Sequence, residues 1–305
     1  MSRRFRLLAW TAAACTYLLI VLGAVVRITG SGLGCGEHWP RCHGRWFPPL
    51  NDVGTLIEWN HRLVAGLVTV LVVALASYAW WLRSRAGSGE RYVPGRASYL
   101  ALGLLVTQVL LGAVVVKLAL PPWTVVLHLG TAMLLLATLL TLAQQSQMTP
   151  GDSPGDPGAG PLWFTPGLRP LGLTPGFRPG SVVLGLSFIT ILFGALTANL
   201  GAASACLGFP LCNGQLVPAG NYLQHLHWLH RLLGFALLAA VAAWAWRTRR
   251  AKVVAALLLV LLQIGVAAAM VVLALPRGLQ VAHAAVGTAV WAALVLAARS
   301  EAPVG

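Results

Sequence analysis

The chain has 305 residues, of which 58% are apolar and only 9% charged, with a mean hydropathy of +0.78 and a formal net charge of +14. A soluble domain carries roughly 25% charged residues, so this chain lacks the charge to coat a water-facing surface. Repeated apolar runs of about 20 residues instead define a polytopic protein of the lipid bilayer. The excess of positive charge does not imply nucleic acid, because the basic residues cluster in short loops between apolar runs, as membrane topology requires.

Arg3, Arg4 and Arg6 precede the first run, Leu7–Val26. It is longer than the roughly 7–15 residues of a signal-peptide core, and no clear cleavage site follows, so it is read as a retained helix. Further helices are predicted at Trp59–Leu82, Ala97–Leu118 and Trp123–Leu142. From Gln144 to Gly180 the chain repeats Pro-Gly pairs and reads as a linker. Helices at Val182–Leu200, Tyr222–Trp246, Val253–Leu275 and Leu279–Ala298 complete a set of eight. The expected fold is an all-α polytopic membrane protein in two parallel, pseudo-twofold-related four-helix bundles. Residues 1–143 form the first half, 144–180 a cytoplasmic linker and 181–305 the second half.

The halves read as copies. Gly23-Ala24 resembles Gly194-Ala195, and Cys35…Trp39-Pro40-Arg41-Cys42 resembles Cys206…Phe209-Pro210-Leu211-Cys212. Gln108 and Gln263, Pro121 and Pro276, and His128 and His283 are each 155 residues apart. Four helices per half is an even number, so both halves share one orientation, as in parallel repeats. With both termini cytoplasmic, 14 of the 21 basic residues fall on the inner side, including the Arg247–Lys252 cluster. That bias favours this topology.

Every even-numbered helix then starts outside, and His61, His128, His230 and His283 sit near those starts, two per half. Paired imidazoles in a helical bundle are a common way to ligate haem iron. Two histidines per site fall short of the usual zinc or copper set. Glu58 precedes His61 by three residues, which places both on one helix face. There it can act as a base or stabilise positive charge. Its counterpart in the second half is His227, so one half is expected to do chemistry and the other only to hold a cofactor. Arg62 and Arg231 follow the histidines and are candidates for pairing with ligand propionates or for interfacial snorkelling.

Cys35 and Cys42 share one outer loop, and Cys206 and Cys212 another. Such pairs in an oxidising compartment read as disulfides. Free thiols, or a metal site of Cys35, His38, Cys42 and His43, are the alternatives. Cys15 reads as inert packing, and His225 and His227 as interfacial contacts. Trp39, Trp46, Trp59, Trp123 and Trp228 read as an aromatic belt.

In order, Gly30-Ser31-Gly32-Leu33-Gly34-Cys35, Trp39-Pro40-Arg41-Cys42, Glu58-Trp59-Asn60-His61-Arg62, His128, His227-Trp228-Leu229-His230-Arg231 and His283 resemble haem A synthase of the bacterial type with cysteine pairs in its outer loops. The resemblance spans nearly the whole chain. It implies oxidation of the C8 methyl group of haem O to a formyl group, giving haem A for terminal oxidases. It implies haem b iron between His230 and His283, haem O near His61 and His128, a reactive role for Glu58, and disulfides Cys35–Cys42 and Cys206–Cys212. Candidate partners are a haem O synthase and an external thiol–disulfide or electron-transfer protein. The expected place is the plasma membrane, with the haem sites near the outer face. A dihaem electron-transfer protein of cytochrome b type would use the same histidines but gives Glu58 no purpose. A transporter would not require matched histidine pairs.

Overall fold

The computed structural model of the chain describes residues 3–49, 51–85, 95–145 and 179–299. These residues form eight long helices: α1 (Arg3–Ile28), α2 (Val53–Arg85), α3 (Gly95–Lys117), α4 (Pro122–Gln145), α5 (Pro179–Asn199), α6 (Tyr222–Thr248), α7 (Ala251–Val272) and α8 (Arg277–Ala298). Among the described residues there is no extended strand, only isolated bridges Cys42–Arg45 and Cys212–Gln215. All eight helices are long and apolar enough to cross a membrane. Lipid offers no partner to a backbone amide, so each run closes its own hydrogen bonds as a helix. The chain is a multi-pass membrane protein. Most of the predicted linker, 144–180, lies outside the described residues.

α1 packs on α2 and α4, and α3 on α2 and α4, so the first four helices close a ring. α5 to α8 close a second ring in the same way. The rings meet through α1 against α8, α4 against α5, and α4 against α8. One buried core joins Ala9, Ala12 and Ala13 of α1, Leu135, Leu136 and Leu139 of α4, Val183 of α5 and Trp291 and Leu294 of α8. Small residues on α1 let backbones approach closely, the usual source of packing in lipid. Polar bonds cross the seam: Trp291 Nε1 donates to Met133 O at 2.9 Å, and Tyr17 OH to Ala285 O at 3.0 Å.

α2 starts at Val53, well before the predicted Trp59. Asp52 causes this by capping the helix: its Oδ2 accepts the Thr55 N–H at 2.7 Å, and its carbonyl accepts the Leu56 N–H at 3.0 Å. α3 and α7 end alike. Ala119 and Leu120, like Ala274 and Leu275, take positive φ of 57°, 64°, 58° and 62°. Leu120 N–H returns to Val115 O at 2.9 Å and Leu275 N–H to Met270 O at 2.7 Å, closing a Schellman-type turn in each half. Pro121 and Pro276 then immediately precede the next helix, Pro276 as its N-cap residue. This explains the matching Leu-Ala-Leu-Pro stretches and sets His128 and His283 at equal depth.

Candidate functional site

Each of the four histidines lies about two turns inside the start of its helix, all at the end of the bundle that carries the cysteine loops. His61 lies within electrostatic reach of His128, and His283 within reach of His230 and His227. The rings are half-buried, yet Nδ1 of His61, His128 and His230 is fully buried with no hydrogen-bond partner. A neighbouring helix gives three of them a glycine to lie on. A Cβ on Gly23 would meet His61 Cε1 at 3.2 Å, one on Gly112 would meet His128 Cε1 at 3.4 Å, and one on Gly194 would meet His230 Cε1 at 2.7 Å. The Gly-Ala match between α1 and α5 thus has a physical reason: it makes room for an imidazole.

Glu58 is 3% exposed and fully occupied. Its Oε2 accepts the backbone N–H of Cys35 at 2.8 Å, and its Oε1 accepts Arg62 Nε at 3.1 Å and forms an ion pair with Arg62 Nη2. Arg62 Nη1 donates onward to His38 O at 2.7 Å and Arg41 O at 2.9 Å. The second half repeats this clamp without the carboxylate. Arg231 Nη1 donates to Gly208 O at 3.0 Å and Leu211 O at 2.9 Å, and Nη2 to Cys206 O at 2.8 Å. His227, in Glu58's place, is buried with Nδ1 3.1 Å from Ala202 O. Both arginines therefore fasten a cysteine loop to a helix, a role the sequence did not reveal. They differ at two atoms: Arg62 Nε and Nη2 are both spent on Glu58, whereas Arg231 Nη2 binds Cys206 O and its Nε is buried and unpartnered.

The loops are disulfide-closed, Cys35–Cys42 and Cys206–Cys212. The first bond takes both thiols of the alternative Cys/His metal site, and no group of three or more metal-ligating side chains occurs among the described residues. Cys15 is free and partly buried in α1. Trp59 and Trp228 do more than mark a membrane boundary: Trp59 Nε1 donates to Trp46 O at 3.0 Å and Trp228 Nε1 to Leu216 O at 2.8 Å. His43, which sequence reasoning passed over except as a metal candidate, ties Nε2 to Gly34 O at 2.8 Å.

A cavity of about 730 Å³, its open mouth included, lies inside the second ring. His230, His283, Gln263, Phe235, Thr190 and Arg231 are among its lining residues. Two imidazoles from different helices, mostly apolar walls and the orphaned Arg231 Nε–H suit a flat apolar iron macrocycle with acidic substituents. The donor set thus fits a haem.

Fold and site together define an all-helical multi-pass membrane protein with paired histidines sunk into one end of each four-helix ring. A family model described as cytochrome oxidase assembly protein, COX15-CtaA, matches residues 6–55 and 51–295, and the chain belongs to this family. A heme A synthase of Shouchella clausii is 33% identical over 260 residues, covering 82% of this chain and 80% of its own. One of Geobacillus kaustophilus is 31% identical over 300 residues, covering 92% and 86%. A Thermus thermophilus protein named protoheme IX farnesyltransferase is 32% identical over 237 residues, covering 74% of this chain but 35% of that protein.

Proposed function

We propose that the protein is a haem A synthase, oxidising the C8 methyl group of haem O to a formyl group. The observation that carries this reading is an asymmetry between two similar sites: both rings hold a histidine pair, and among the described residues only His61 is accompanied by a buried carboxylate, Glu58. Family membership and the names of the relatives support the same activity. A dihaem electron-transfer protein would leave Glu58 without a task.

In this reading residues 1–143 form the substrate half, with haem O between His61 and His128. Residues 181–305 form the cofactor half, with haem b iron held by His230 and His283, and 144–180 joins them on the cytoplasmic side. The halves are related by a twofold axis along the membrane normal, a relation supported by their matching helix contacts. Both termini are cytoplasmic and the histidine ends face outward, supported by the distribution of Arg and Lys.

Bound haem b supplies one-electron transfer. The protein's own residues do the rest. His61 and His128 set the depth and tilt of the substrate ring. Glu58 stabilises positive charge that develops beside the methyl carbon, or accepts its proton, from a position fixed by Cys35 N–H and Arg62. Arg231 offers its free Nε–H to a haem b propionate.

Haem O is supplied by a farnesyltransferase that meets this protein in the bilayer. The Thermus thermophilus relative, whose name is that of such an enzyme, carries a stretch similar to this chain within a longer protein. The formyl oxygen comes from water, and the four electrons and four protons released per methyl group (R–CH3 + H2O → R–CHO + 4 H+ + 4 e−) leave to an external acceptor and to solvent. The test is haem extraction from cells co-expressing the chain with a haem O supply. Haem A or its hydroxylated intermediate is the expected product. Recovery of haem O and haem b alone would overturn the reading in favour of electron transfer.

A further inference from the structure

Gln263 on α7 and Gln108 on α3 hold matching positions, as do His283 and His128, yet their hydrogen bonds differ. The Gln263 amide nitrogen lies 3.0 Å from His283 Nδ1 and 3.3 Å from its Nε2. The amide reaches the ring because it lies on Gly287, where a Cβ would come within 3.1 Å of it. Its Oε1 is buried and has no partner. In the first half, Ala132 stands where Gly287 would be, and Thr131 where Val286 would be. Thr131 Oγ1 donates to Gln108 Oε1, and His128 Nδ1 is left buried with no partner. One change removes the space for the amide and the other captures it.

A histidine that gives Nε2 to iron carries its proton on Nδ1, and that N–H needs an acceptor. Such an acceptor fixes ring orientation and makes the ligand more basic. Turning over the Gln263 amide exchanges Oε1 and Nε2 within the same volume. The orphaned oxygen then faces Nδ1–H, and the ring's Nε2 is freed for metal.

We propose that Gln263 is a positioning residue for His283, its amide oxygen accepting Nδ1–H, and that Thr131 and Ala132 deny His128 the same support from Gln108. The second half thereby holds its haem as a resident cofactor, and the first half holds its haem loosely enough to release product. This rests on the assignment of haem b to the second half and haem O to the first.

The test uses the full chain purified with its haems, and reads the midpoint potential of the low-spin haem and the rate of haem loss to apomyoglobin. In Gln263→Leu the bis-histidine spectrum remains. Haem b loss is about 10–100-fold faster, and the potential is more positive by about 59 mV for each tenfold loss of preference for the ferric state. In the double variant Thr131→Val, Ala132→Gly, Gln108 turns to His128 and haem O loss slows about tenfold. Parental potential and loss rate in Gln263→Leu, with the haem signal still abolished by His283→Ala, overturn the proposal and leave the site assignment standing. A signal that survives His283→Ala overturns the site assignment itself. Should Gln263→Leu fail to fold, unchanged haem O loss in the double variant overturns the proposal.

Discussion

Gly194 and His230 are in contact so close that the smallest side chain would not fit: a Cβ on Gly194 would lie 2.7 Å from His230 Cε1. Three atoms of the ring, Cε1, Nε2 and Nδ1, would lie within 3.4 Å of that Cβ, so the imidazole could clear it only by moving into the cavity it lines. Gly194→Ala is therefore expected to turn His230 off its axis, at a cost of about 1–3 kcal/mol in overpacking, and to remove or broaden the low-spin haem spectrum. Gly23→Ala, where the same contact is 3.2 Å, is expected to weaken haem O conversion while sparing that spectrum. Optical spectra of the two purified variants decide it. A normal bis-histidine spectrum in Gly194→Ala would show that His230 does not hold the cofactor.

Glu58 can be tested for charge separately from shape. Glu58→Gln keeps an oxygen for the Cys35 N–H but loses the ion pair with Arg62. Glu58→Ala loses both. If the negative charge serves the reaction, both variants lose haem A formation by about 100-fold or more and keep the haem b spectrum. If Glu58 only fastens the loop, Glu58→Gln retains most of the activity. Haem extraction from membranes of each variant distinguishes the two.

The fold was legible because lipid forces a simple rule on the chain: an apolar run long enough to span must be a helix. All eight runs are helices, with ends shifted by a few residues. The larger shift, at α2, arose because Val53-Gly54-Thr55 is not part of an apolar run, and its helical state comes from the Asp52 cap. The four histidines were visible through the repeat, and so was the lone carboxylate. The work of Arg62, Arg231, Trp59 and Trp228 was not, because each binds backbone carbonyls of a loop some 12–25 residues away in sequence. A carbonyl leaves no mark on residue identity. Gly112 under His128 was hidden for a related reason: its second-half counterpart is Ala267, so comparing the halves did not single it out.

The two disulfides are expected to differ in consequence. Each closes a short loop and stabilises by about 2 kcal/mol. Cys35 also presents its backbone N–H to Glu58, so opening Cys35–Cys42 disturbs the carboxylate as well as the loop. Cys35→Ser with Cys42→Ser should lower the thermal midpoint and abolish haem A formation. Cys206→Ser with Cys212→Ser should lower the midpoint to a similar extent and loosen haem b, because the Cys206 carbonyl is one of the anchors of Arg231. Parental haem A formation in the Cys35→Ser, Cys42→Ser variant would show that the first loop has no link to the reaction.

Asp52 gives the loop junction a pH dependence of defined sign. The Thr55 backbone N–H, followed by its hydroxyl and the charge of His43, holds the Asp52 carboxyl below the usual carboxylate range. The folded value is below the unfolded one, so the stabilisation is complete above the unfolded value of about 3.9 and is lost as pH falls through the folded one. Hydrogen exchange at Thr55 and Leu56, followed from pH 6 downward and corrected for intrinsic rates, should show protection falling only below about pH 4. Asp52→Asn keeps a capping oxygen that does not titrate, and should flatten that profile while preserving protection at pH 6. Asp52→Ala should lose protection at every pH. A pH profile in Asp52→Asn that matches the parent would show that Asp52 is not the titrating group.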